Sequence, residues 1–136
     1  MEIRTKKQKI TNPKEIALIL RDILVSEDQI DQDKEHFWVI GLDSRNVIQY
    51  VELVSLGTLN ASLVHPREVF RLAIFKGVSH IIVGHNHPSG DTEPSEDDLE
   101  MTKRLIESGK ILGIEVFDHI IISEEGFLSF KEKNLI

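Results

Sequence analysis

Cysteine is absent from this sequence. Disulfides and thiolate metal sites are therefore excluded, and any zinc must be held by nitrogen and oxygen. The same absence suits a reducing compartment. No apolar run approaches the roughly 20 residues that span a bilayer, and the N-terminus lacks the apolar core of a signal peptide. A cytoplasmic protein with no membrane contact is the expectation. Positive charge is in deficit: 16 Lys and Arg stand against 23 Asp and Glu, a formal net charge of −7. Nonspecific nucleic-acid affinity comes from Lys and Arg neutralising phosphates, so nucleic acid is not an expected partner. The one basic run, Arg4, Lys6, Lys7 and Lys9, reads as a solvated N-terminal arm, with contact to an acidic partner as the alternative. There is no internal repeat and no low-complexity segment.

What is present is ordinary for a soluble domain. The 136 residues fit one domain, and 40% hydrophobic with 29% charged residues is a globular balance. A chain of this size buries roughly two thirds of its unfolded surface and folds without staples.

Residues 1–10 read as an arm, loose or strand-forming. Asn12-Pro13-Lys14-Glu15 has the form of a helix start, with Asn12 as cap, Pro13 in the first turn and Glu15 reaching back. Ile16, Leu20, Ile23 and Leu24 continue that helix to about Val25. Residues 26–34 are polar and read as a loop. His36–Leu42 and Val47–Leu56 flank the turn Asp43-Ser44-Arg45-Asn46 and predict a hairpin. His65-Pro66 opens a second helix, with Val69, Leu72, Ala73 and Phe75 as its apolar contacts and Gly77 as its stop. His80–Gly84 predicts a central strand. Ser95 begins a long helix carrying Leu99, Leu105, Ile106 and Leu112. Ile114–Ser123 is a further strand, and Glu124-Glu125-Gly126 turns into Phe127–Phe130. The last six residues are expected to form a short helix. This order predicts an α/β domain with a central sheet and helices on both sides.

Chemistry concentrates in residues 85–98. His85 and His87, two apart in extended backbone, point the same way and can converge on one ion. They are expected just past the end of a central strand, where open α/β sheets place their sites. Pro88 favours an extended His87. A lone His-x-His is weak evidence. Asp98, in the first turn of the helix begun by Ser95, could supply a third ligand. Two imidazoles and one carboxylate suit zinc and leave a fourth position for water. The competing reading is structural, because Ser95 and Asp98 also have capping-box spacing and acidic residues suit a helix N-terminus.

The string His85-x-His87-Pro88, six residues, Ser95, two residues, Asp98 matches the JAMM signature of JAB/MPN metalloproteases. The surrounding segments, Gly57-Thr58-Leu59-Asn60, Val64–Phe70, Gly84–Asp91 and Asp118-His119-Ile120-Ile121, resemble the RadC family over roughly residues 8–136. The resemblance implies a JAB/MPN-type, cytidine-deaminase-like mixed sheet flanked by helices. It also implies a zinc site made by His85, His87 and Asp98, with Ser95 stabilising an oxyanion and an upstream glutamate as general base. Glu35, which directly precedes the first hairpin strand, is assigned that role. Glu52 on the second strand is the rival, and Glu93 in the histidine loop stands third. RadC proteins commonly carry an N-terminal helix-hairpin-helix region that has no counterpart here, so residues 1–136 are expected to be a single RadC-type JAB/MPN domain, short or excised.

The function so implied is zinc-dependent cleavage of a peptide, isopeptide or other amide bond, with a peptide or protein as substrate. Zinc acidifies a water and polarises a carbonyl, and no His-Glu-x-x-His string supplies the base in the zincin manner. Two alternatives stay open: a noncatalytic interaction module that keeps the fold, and a DNA-repair-associated factor, which the family name suggests. Among other residues, His65 is expected to cap the second helix and His119 to sit behind the ligands or in the core. His36 is expected at the surface or in packing, and Trp38 in the core. Gly90 and Asp91 either shape the loop above the metal or make a plain turn.

Overall fold

The computed structural model describes residues 1–57 and 64–136. Residues 58–60, part of the Gly57-Thr58-Leu59-Asn60 segment, lie outside the described residues. In chain order the elements are β1 (Glu2–Ile3), α1 (Pro13–Val25), α2 (Gln29–Gln32), β2 (Glu35–Leu42), β3 (Ile48–Gly57), α3 (Pro66–Lys76), β4 (His80–Asn86), α4 (Glu96–Leu112), β5 (Glu115–Ser123) and β6 (Gly126–Ser129).

Local chemistry sets the helix ends. Asn12 is extended and its side chain accepts from the Glu15 N–H at 3.2 Å, with Pro13 in the first turn. The Glu15 carboxylate reaches past the cap to Thr11, whose backbone N–H it accepts at 2.9 Å. Gly77 and Gly113 close α3 and α4 in left-handed conformation, at φ 66° and 74°, where a Cβ would be strained.

The strands form one sheet in the order β1-β3-β2-β4-β5-β6. Among the described residues only β4 and β5 run parallel, and α4 makes the crossover such a pair requires. β2, β3, β4 and β5 alternate between two cores. On one face Trp38, Ile40, Ile82 and Ile120 pack against Ile16 and Leu20 of α1. On the other, Phe37, Val39, Ile81 and Val83 pack against Val69 and Phe70 of α3 and Met101 and Leu105 of α4. This is the mixed sheet flanked by helices that the resemblance implies. β4 is buried along its whole length. Gly84 lets α1 approach that strand: a Cβ there would meet Leu20 Cδ1 at 2.4 Å. Among the described residues no helix is long and apolar enough to cross a membrane.

Several expectations are corrected. The polar stretch 26–34 is not all loop, because Asp28 caps the short helix α2 through the Asp31 N–H at 2.8 Å. The final residues make turns rather than a helix. Their anchor is Asp118, which accepts from Lys131 N–H at 3.0 Å and the Ser129 hydroxyl at 2.6 Å. Phe75 is 84% exposed, since α3 buries only Val69, Phe70 and Ala73. His65 occupies the cap of α3 but its side chain makes no capping bond. Other expectations hold: Trp38 is in the core, and of the two readings of His36 packing is the one observed, since it is fully buried and stacks on Trp38 with ring centroids 5.1 Å apart.

Candidate metal centre

β4 runs two residues further than expected, so His85 lies inside the strand and His87 just beyond it. The alternation of the strand turns His85 to the face of Phe37, its register partner on β2. His87 follows, tied to β5 by its N–H on the Ile122 carbonyl at 2.9 Å. The chain then reverses through Gly90 (φ 104°), and Ser95 caps α4. The first turn of α4 carries Asp98 back over the histidines.

The three side chains meet. His85 Nε2 and His87 Nε2 are 2.9 Å apart. Asp98 Oδ1 lies 3.3 Å from His85 Nε2, and Asp98 Oδ2 3.0 Å from His87 Nε2. Nitrogen and oxygen ligands at ~2.0–2.1 Å from a tetrahedral zinc ion would be about 3.3 Å apart. The capping reading of Asp98 holds: Oδ2 accepts from Ser95 N–H at 2.9 Å while Ser95 Oγ accepts from Asp98 N–H at 3.1 Å. The cap orients the carboxylate that faces the histidines.

Proton positions follow from the partners. The Asp98 backbone carbonyl can only accept, so the Thr102 hydroxyl donates to it, at 2.7 Å. Thr102 Oγ1 then accepts from His119 Nδ1–H at 2.6 Å. His119 is completely buried, which holds its pKa well below the ordinary value, with nearby His85 acting in the same direction. A neutral His119 therefore presents a lone pair at Nε2, and His85 donates Nδ1–H to it at 2.7 Å. That leaves His85 Nε2 bare. His87 Nδ1 faces the Asp91 carbonyl at 3.1 Å and must donate, which leaves His87 Nε2 bare as well. In these neutral tautomers two imidazole lone pairs and one carboxylate converge, so that only a cation or an added proton can sit between them. Such a set calls for a cation, and the backbone carbonyl that takes the His87 Nδ1–H is a partner metal-binding imidazoles ordinarily have. Phe130 stacks on His119 at 4.4 Å and helps fix the chain of rings.

A proton can occupy the space where a cation would fit. Hydrogen bonding to Asp98 raises the His87 pKa against the opposing effect of burial. Burial would raise the Asp98 carboxyl, but the bonds to His85 and His87 outweigh it and hold the group well below the usual carboxylate range.

A cleft opens beside the cluster, lined by Glu35, Gly57, His87, Ser95 and Asp98 among others. Glu35 is two residues from Phe37, so it shares the sheet face of His85. Glu52 is opposite Val39, further along β2, and its Oε2 is occupied by Arg71 at 3.1 Å. Glu93 is exposed on the cleft's rim, with its N–H on Asp91 Oδ1 at 3.0 Å. Asp91 and Gly90 do shape the loop at the histidines. Two residues that the sequence analysis passed over matter here: Thr102, one helical turn after Asp98, and Asn86, between the two histidines.

A family model described as a RadC-like JAB domain matches residues 10–135. A UPF0758 protein of Desulforamulus reducens is 50% identical over 129 residues, covering 91% of this chain and 57% of that protein. Another from Methanosarcina mazei is 43% identical over 130 residues, covering 96% of this chain and 55% of its own length. The chain spans about half the length of the curated relatives it matches. With the family model matched across nearly its whole length, over a fold of the JAB/MPN kind, the chain belongs to the RadC family of JAB-domain proteins.

Proposed function

We propose that this chain is a zinc-dependent hydrolase that cleaves a peptide, isopeptide or other amide bond, with a peptide or protein as substrate. The observation that carries the reading is the convergence of two bare imidazole nitrogens and one ionised carboxylate at the edge of a cleft that also holds Glu35 and Ser95. Two nitrogens and one carboxylate oxygen, with no thiolate, favour zinc and leave a coordination position open. Zinc held there supplies Lewis acidity to an attacking water and to the scissile carbonyl.

The chain's own residues do the rest. His85, His87 and Asp98 hold the ion, and His119 keeps the His85 proton on the far nitrogen. Glu35 takes a proton from the attacking water and passes it to the leaving amine. Ser95 Oγ accepts from Asp98 N–H, so its own hydroxyl proton is free to donate to the developing oxyanion, a contribution of roughly 3 kcal/mol. The cleft is acidic: Asp33, Glu35, Asp91, Glu93, Asp97 and Asp98 line it against Lys34. That lining repels phosphates and weighs against a DNA-processing reading.

A peptide-library digestion with and without chelator tests the proposal. Cleavage should appear with zinc, vanish on chelation and return on zinc readdition. Glu35→Gln should keep the metal and lose hydrolysis, because the amide preserves shape but cannot accept the proton. Undiminished turnover in Glu35→Gln would remove Glu35 from the role, and chelator-resistant cleavage would remove the metal.

A further inference from the structure

We propose that Asn86 is a positioning residue for Glu35, holding the first turnings of β2 at a fixed height against the two histidines. This rests on Glu35 being the general base.

The backbone ladder between β2 and β4 ends at the pair Phe37–His85. Beyond it, among the described residues, the backbone of β4 continues along β5 alone, with Asn86 opposite Ile122 and His87 N–H on the Ile122 carbonyl. Glu35 therefore lies past the last β2–β4 rung, and its ladder partner is Gly57 of β3. The Asn86 carboxamide supplies the missing rung. Its Oδ1 accepts from His36 N–H at 2.6 Å, and its Nδ2 donates to the Lys34 carbonyl at 2.9 Å. Those groups flank Glu35 on both sides. One donor and one acceptor are what a strand residue would offer by its own peptide groups. The partners also fix the amide orientation, since the oxygen faces a donor and the nitrogen an acceptor.

The clamp is buried and reinforced. Asn86 is 2% exposed. His36 donates Nδ1–H to the same Lys34 carbonyl at 2.8 Å. Because Asn86 sits between His85 and His87 in the chain, one strand end carries two metal-ligating side chains and the amide that sets the height of the base. A displacement of about 1 Å at a reacting group can cost on the order of 100-fold in rate, which is the scale of error this clamp prevents. Aspartate is the informative replacement. It keeps the shape and can accept from His36, but it has no proton for the Lys34 carbonyl.

The test uses the full chain loaded with Co²⁺, whose visible absorption reports the open coordination position without any substrate. The wild-type spectrum should differ from that of Glu35→Gln. Asn86→Asp should bind cobalt as tightly as wild type yet shift its spectrum to that of Glu35→Gln, and the double variant should show no further change. On a peptide that wild type cleaves, kcat should fall about 100-fold at unchanged KM. A wild-type spectrum in Asn86→Asp, or a loss of cobalt affinity, overturns the proposal and leaves the Glu35 assignment standing. Identical wild-type and Glu35→Gln spectra remove Glu35 from the site, and the proposal with it. Asn86→Ala replaces Asn86→Asp if the latter does not fold; failure of both to fold makes the role structural and overturns the proposal.

Discussion

Thr102→Val probes the proton chain behind the metal ligands with almost no change of shape. It removes one hydroxyl from a residue 2% exposed. His119 Nδ1–H then has no acceptor, and leaving a buried donor unpartnered costs about 1–3 kcal/mol. His119 can escape that cost by moving its proton to Nε2. That proton would point at His85 Nδ1, 2.7 Å away, and His85 would have to carry its own proton on Nε2, where the ion binds. Metal binding must reverse the shift, so the same ~1–3 kcal/mol appears as an affinity loss of about 5- to 150-fold. Disruption of a ligand's outer hydrogen-bond partner typically costs 10- to 100-fold, in agreement. Competition against a chromophoric chelator measures the zinc affinity, and denaturant unfolding measures stability separately. Thr102→Ser, which restores the hydroxyl, should recover the affinity. Unchanged zinc affinity in Thr102→Val, with only a loss of stability, would refute the proton assignment.

His85→Ala should abolish zinc binding and keep the circular-dichroism spectrum with a lowered denaturation midpoint, because the fully buried His85 stands beside Phe37 at the edge of one core. Asp98→Ala should do the same with an added loss of about 0.5–2 kcal/mol in denaturant, since it also opens the capping box of α4. Zinc affinity should fall on acidification. The His87 pKa is raised by Asp98 in the metal-free protein, so a proton holds the site up to a pH above the ordinary histidine value near 6.5. By linkage, the protonated His87 stabilises the metal-free fold below about pH 6.5, and that stabilisation is lost as pH rises through the raised folded value. Titrations across that window should show metal binding gain as it fades, and Asp98→Asn should flatten the pH dependence of stability in the metal-free protein. Gly84→Ala should destabilise by about 1–3 kcal/mol, read as a lower denaturation midpoint, because its Cβ would meet Leu20 at 2.4 Å.

The site was legible where its determinants are close in sequence. His85, His87, Ser95 and Asp98 fall within fourteen residues, and strand alternation plus a capped helix bring them together with little help from the rest of the chain. Helix starts at Asn12 and Ser95 and the stop at Gly77 were legible for the same reason: capping is a local hydrogen-bond problem. Contacts that depend on tertiary register were not. Thr102 meets His119 across 17 residues, and Asn86 meets His36 across 50. A helical periodicity from Asp98 could have flagged Thr102, since both face the core with Leu105 and Gly109. Nothing local marks Asn86, whose partners are set by where the β2–β4 ladder stops. Phe75 was misread because helical spacing alone does not tell a core stripe from an exposed helix end. The sequence left His36 open between surface and packing, and its burial beside Trp38 is decided by the sheet.

The central claim is that His85, His87 and Asp98 hold one metal ion, and zinc titration of the metal-stripped protein by calorimetry tests it most directly. The account predicts one equivalent bound by wild type, none by His85→Ala or Asp98→Ala, and undiminished stoichiometry in Glu35→Gln. Absence of binding in the wild-type protein, or binding that persists in both ligand variants, would contradict it.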